Sequence, residues 1–111
     1  MVRFNRLGRC LNLTENSAPY SNFTKALWAN GQPSIEMIEF DYSKNGFEDV
    51  ITLLAVLYRF EKPNIVTTSE KYMTTITIND EKVEIDMDIW TCSIAFESTQ
   101  LRDEVLTGLQ L

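Results

Sequence analysis

Two β-prone runs, residues 72–78 and 82–87, flank Asn79-Asp80-Glu81, and apolar and polar side chains alternate over 75–78 and 82–87. Period-two alternation belongs to strands with one buried face, and an Asn-Asp step between two such runs is a turn signal, so this stretch predicts a β-hairpin. Its register can be derived on paper. A two- or four-residue loop puts Ile76 and Ile78 on the face that carries Val83 and Ile85, and groups Thr75 and Thr77 with Glu84, Asp86 and Asp88 on the other. A slip of one residue would set isoleucines against carboxylates, so the hydrophobic pattern selects the first pairing. Further on the phase changes. Val83, Ile85, Met87 and Ile89 share one parity, whereas Trp90, Cys92, Ile94 and Phe96 share the other, which calls for a bulge or a turn near Asp88.

The remaining elements read less sharply. Residues 2–13 are apolar at Val2, Phe4, Leu7, Leu11 and Leu13 and suggest a strand broken at Gly8. Ser21-Asn22 can cap a short helix through Phe23, Ala26 and Leu27 that stops at Asn30-Gly31. Residues 34–42 read as a strand with Ile38, Phe40 and Tyr42 on one side and Glu39 and Asp41 on the other. Lys44-Asn45-Gly46 reads as a turn. Residues 47–60 follow without Gly or Pro, with Glu48 and Asp49 in the expected first turn and Arg59 in the last, which predicts a helix complemented to its dipole. Its apolar residues cover most of the circumference, so it is expected at the centre of the core. Ser98 or Thr99 should cap a last helix whose inner face holds Leu101, Val105, Leu106 and Leu109. The sum is one α+β domain over residues 1–111, a largely antiparallel sheet of about four to five strands with about three helices packed on it.

With 111 residues the chain has room for one core, and its composition is that of a folded protein. The net charge of −6 opposes binding to nucleic acid or to an anionic membrane. That charge is unevenly placed: residues 1–30 carry four bases and one acid, and residues 31–111 carry fifteen acids and six bases. The natural complement of the acidic body is a basic protein, although solubility alone would also explain the acidity. Cys10 and Cys92 are too few and too far apart for a disulfide scaffold or a metal motif. The N-terminus is too polar for a signal peptide and no apolar run reaches membrane-spanning length, so a cytoplasmic chain is expected.

Absences narrow the chemistry. The chain has no His, which removes the commonest general base, and its four glycines, Gly8, Gly31, Gly46 and Gly108, form no phosphate-binding loop. A nucleophilic Ser or Cys would have no imidazole partner. The expectation is a protein without catalytic residues, cofactor or metal. A carboxylate-based enzyme would have to use Asp86 and Asp88.

The stretch EIDMDIW, from Glu84 to Trp90, aims three carboxylates at one face, about 7 Å apart along the strand. Three readings compete: a solvated strand face, a partner-binding patch and a hard-cation site, the last disfavoured because ligands spread along a strand rarely converge on one ion. As a partner-binding patch it would comprise Glu84, Asp86 and Asp88, widened by Glu39 and Asp41 if their strand lies in the same sheet and by Asp80 and Glu81 at the hairpin tip. Tyr72 and Trp90, with Tyr42, are the candidate aromatic anchors, although Trp28 and Trp90 are each expected in the core. In size, acidity, cytoplasmic composition and this acidic strand the chain resembles bacterial immunity proteins, particularly those of contact-dependent growth inhibition systems. The resemblance implies one-to-one binding of a delivered toxin, often a basic nuclease, at its active site or substrate groove. The competing reading is a structural or accessory regulatory subunit that associates through an apolar patch.

Overall fold

The computed structural model describes residues 22–110. The 2–13 strand, Cys10 and the N-terminal arginines lie outside those residues. Six strands and two helices follow in the order β1 (Phe23–Leu27), β2 (Pro33–Met37), α1 (Lys44–Leu57), β3 (Val66–Thr67), β4 (Lys71–Ile78), β5 (Glu81–Asp88), β6 (Cys92–Ala95) and α2 (Thr99–Leu109). The strands form one sheet in the order β1-β2-β6-β5-β4-β3, and every neighbouring pair is antiparallel. The architecture is α+β, with one strand more and one helix fewer among the described residues than the sequence suggested.

The hairpin forms as its pattern demands. Asn79 and Asp80 make a two-residue turn with φ of 51° and 65°, the signature of a type I′ connection, whose twist matches that of the flanking strands. Ile76 then stands opposite Val83, and Thr75 opposite Glu84. Ile78 and Glu81 close the loop as a hydrogen-bonded pair, so alternate residues of β4 direct their backbone groups toward β5. The backbone groups of Thr75 and Thr77 therefore face outward. β3 pairs only with Tyr72 and Met73, and among the described residues no strand pairs with the rest of that rim.

Three sequence expectations are corrected. Phe23–Leu27 is a strand rather than a helix: five residues are too few for a helix to stand alone, and β2 offers a full antiparallel ladder from Phe23–Met37 to Leu27–Pro33. Gly31, at φ 87°, makes the connecting turn in a conformation that an L side chain rarely adopts. The strand expected over residues 34–42 ends at Met37 and buries Ile35 and Met37, so its inward parity is opposite to the one expected. The third correction concerns α1. It begins at Lys44, where the Ser43 hydroxyl accepts the Gly46 amide at 2.9 Å, so the expected Lys44-Asn45-Gly46 turn is its first turn. Glu48 and Asp49 fall in its second turn, and Arg59 lies beyond its end.

Only Gly46, Phe47, Val50 and Leu54 of α1 are buried. The helix is a flanking layer rather than the centre, and Leu53, Val56 and Leu57 face outward, Val56 at 77% exposure. α2, capped by Ser98, buries Leu101, Val105, Leu106 and Leu109 as its spacing predicts. Core residues on the sheet include Ile35, Ile85 and Ile94, aligned across β2, β5 and β6. Burying one such side chain is worth about 1.5–3 kcal/mol. Arg102, itself buried, reaches from α2 to the carbonyls of Ala26 and Ser34 at 3.2 and 3.3 Å and fastens the helix to the β1–β2 edge.

Candidate functional site

Cross-strand register assembles the site on the face opposite the isoleucines. One row runs Thr24, Glu36, Ser93, Asp86, Met73; the next runs Ala26, Ser34, Ala95, Glu84, Thr75. Asp88 stands opposite Lys71 at the end of β5. Glu84, Asp86 and Asp88 therefore share a face, as alternation predicts. The acid that β2 adds to it is Glu36, not the Glu39 and Asp41 expected from the sequence. The apolar Ile35 and Met37 on either side were the signal: they face the core, so Glu36 must face away.

The three carboxylates differ in environment. Lys71 Nζ lies 3.7 Å from Asp86 Oδ2, a contact too long for a good hydrogen bond. Asp86 Oδ1 is shielded from solvent and makes no hydrogen bond. An acceptor left unfilled in this way costs about 1–3 kcal/mol. Burial is the main force raising the pKa of Asp86, and Asp88 adds to it while Lys71 opposes it. Glu84 is raised as well, first by burial, then by repulsion from Asp86. On the covered side of the same strands, the Cys92 thiol is pushed up to about 12 by burial and by the negative charge of Asp86 and Asp88.

Asp88 has a second task. Its Oδ1 accepts the backbone amides of Trp90 and Thr91, both at 2.7 Å, and the Thr91 hydroxyl at 3.3 Å. With the Asp88 amide donating to the Thr91 carbonyl at 2.8 Å, this locks the turn joining β5 to β6. An Asp at the first position of a tight turn satisfies amides that the ladder cannot reach. The phase change read from the sequence is this turn. Its two loop residues, Ile89 and Trp90, are 63% and 72% exposed, so Trp90 is not the core residue expected of it.

Trp28, also expected in the core, is half-buried and donates its indole N–H to Ser93 Oγ at 3.0 Å. Together with Lys71, Asp86, Met87, Asp88 and Thr91, these two residues line a cavity of about 190 Å³.

The other sequence candidates lie elsewhere. Glu39, beyond the end of β2, is only 5% exposed, and its backbone exchanges two hydrogen bonds with the Asn22 side chain, at 2.7 and 2.8 Å. Asp41 is exposed, and its carboxylate accepts the hydroxyl of Ser43, the α1 cap, at 2.9 Å. Glu81 shares the parity of Val83 and Ile85 and so belongs to the covered face, and Asp80 occupies the hairpin tip. Tyr72 is half-buried and stacks on Phe47, with ring centroids 5.8 Å apart. Tyr42 tilts against Tyr72 at the same distance and donates its hydroxyl to the Glu70 carbonyl. The structure thus unites Glu84, Asp86 and Asp88 with Trp90 close by, and leaves Glu39, Asp41, Asp80, Glu81 and Tyr72 outside this group.

Among the described residues no three His, Cys, Asp or Glu side chains converge as a metal site, and no helix is long and apolar enough to cross a membrane. Comparison with protein-family models, curated proteins and solved structures found no match.

Proposed function

We propose that this chain is an inhibitor of the immunity type, which binds a basic toxin domain, such as a nuclease, and neutralises it. The observation that carries the reading is the exposed Ile89–Trp90 turn, fastened by Asp88 at the end of the strand whose same face carries Glu84 and Asp86. A large aromatic group on a pre-ordered turn can bury much area at little entropic cost, and acidic neighbours speed the encounter with a cationic surface. The expectation of a cytoplasmic protein belongs to the same proposal, because an immunity protein must meet the toxin where it acts.

Affinity capture on the immobilised chain from its source cell, followed by mass spectrometry, tests this. A basic protein should be retained at low salt, released as salt rises, and lost from Trp90→Ala and from Glu84→Lys/Asp86→Lys. Retention of nothing basic, or retention indifferent to these changes, would overturn the reading.

The bare flank of α1 favours a second reading, an accessory subunit held through Leu53, Val56 and Leu57. Association of that kind would persist at high salt and fail in Val56→Asp.

A further inference from the structure

The cavity beside Trp28 has a chemistry narrower than "acidic". Two carboxylates, Asp86 and Asp88, and one ammonium, Lys71, line it, leaving a net negative charge at its mouth. One wall is an indole whose orientation is fixed by its hydrogen bond to Ser93. Opposite charge alone would suit any cation, but the aromatic wall and the spread of oxygen acceptors suit a flat one. We infer that this cavity receives a guanidinium group, the side chain of an arginine on the partner protein. The inference rests on the basic-partner reading above and names the contact that would anchor it.

A guanidinium is planar and weakly hydrated and carries five donors. It can lie against the indole face while its edges reach carboxylates. Asp86 holds its existing partner loosely: Lys71 is 41% exposed at its side chain and stands 3.7 Å away. An incoming arginine displaces Lys71 into solvent and takes over Asp86 Oδ2 with a shorter, charge-assisted bond. Asp88 spends Oδ1 on the turn, so its second oxygen faces no competing donor from Trp90 or Thr91. The Thr91 and Ser93 hydroxyls line the same space and supply further acceptor positions. An ammonium would fill one of these positions, and a guanidinium spans several.

The test uses the isolated chain, so its outcome does not depend on capture of any partner. Blocked arginine (N-acetyl-arginine amide) is titrated into ¹⁵N-labelled protein at constant ionic strength, with the Trp28 indole N–H as the reporter. Blocked citrulline, its uncharged isostere, and blocked lysine are the controls. A saturable shift of the Trp28 signal with arginine, weaker with lysine and absent with citrulline, is the expected result. The shift should disappear in Asp86→Asn, provided that the amide spectrum shows that variant folded. No saturable shift with arginine, or an equal one with citrulline, overturns the inference on the wild-type protein alone. A positive titration with no basic protein captured would instead count against the proposed function.

Discussion

The carboxylate of Asp88 accepts the backbone amide of Trp90 at 2.7 Å. The backbone that carries the most exposed aromatic side chain of the site is therefore held by the last acid of the strand before it, so a change at Asp88 bears on Trp90, whereas Trp90→Ala leaves the contact in place.

Asp88→Ala should cost about 1 kcal/mol of stability in urea unfolding, the usual loss when a side chain stops satisfying turn or cap amides. Asp88→Asn, which keeps the acceptor, should cost less. In a Trp28→Phe background, Trp90 fluorescence anisotropy should fall in Asp88→Ala as the loop loosens and stay near its parent in Asp88→Asn.

Ionised Asp86 and Glu84 should each make the fold less stable at neutral pH than their uncharged variants. Burial raises both in the folded state, so the folded chain binds these protons more tightly than the unfolded chain does. Their contribution is unfavourable above the raised folded pKa and is relieved as pH falls from there toward the ordinary carboxylate value. Asp86→Asn should thus equal or exceed wild type in thermal midpoint at neutral pH, and the difference should shrink on acidification. Asp103, held low first by its bond to Arg102, works in the opposite sense, losing its contribution as pH falls through its depressed pKa.

Gly46 and Gly108 should respond oppositely to alanine. A Cβ at Gly46 would run into the backbone carbonyl of Asp41, and backbone does not shift cheaply, so Gly46→Ala should cost about 1–3 kcal/mol or more. A Cβ at Gly108 would meet only the end of the Leu57 side chain, at 3.3 Å. Leu57 can shift outward, and alanine is favoured over glycine inside a helix by about 1 kcal/mol, so Gly108→Ala should be neutral or stabilising. Chemical denaturation of the two variants decides.

Cys92 should be inert in the native protein. With its thiol pushed up to about 12, almost no thiolate exists at neutral pH, and the side chain is buried. In a Cys10→Ser background, alkylation by iodoacetamide should be slow in buffer and fast in denaturant. Rapid native labelling would contradict the burial.

The sequence resolved local patterns and missed what depends on neighbours. Residues 71–88 were legible because two facing alternations and an Asn-Asp turn admit one register. Ser98 and the Leu101, Val105, Leu106 and Leu109 stripe fixed α2 for the same reason. Phe23–Leu27 was not legible, since Phe23, Ala26 and Leu27 suit a helical stripe and only pairing with β2 makes them a strand. α1 was read as central because Leu53, Val56 and Leu57 complete an apolar ring, and no pattern within one helix reveals which side stays bare. At the site, the parity of Glu84, Asp86 and Asp88 was readable. Their union with Glu36, Ser93 and Trp28 depends on β6 lying between β2 and β5, which is a matter of topology.

The brevity of β3 bears on how this protein behaves in a concentrated solution. From Thr74 to Ile78 this strand carries no charged residue, and among the described residues no further strand pairs with its outer side past Tyr72 and Met73. Natural sheets protect such rims with charge, proline or a covering loop. Here the guard is the stretch around Pro63, which lies across a cavity from Thr75 and Thr77 and is anchored where the Thr74 hydroxyl reaches the Asn64 carbonyl at 2.7 Å. Loosening that anchor would bare a template for strand-to-strand growth, which makes the Thr74–Asn64 contact a safeguard against aggregation as much as a contributor to stability.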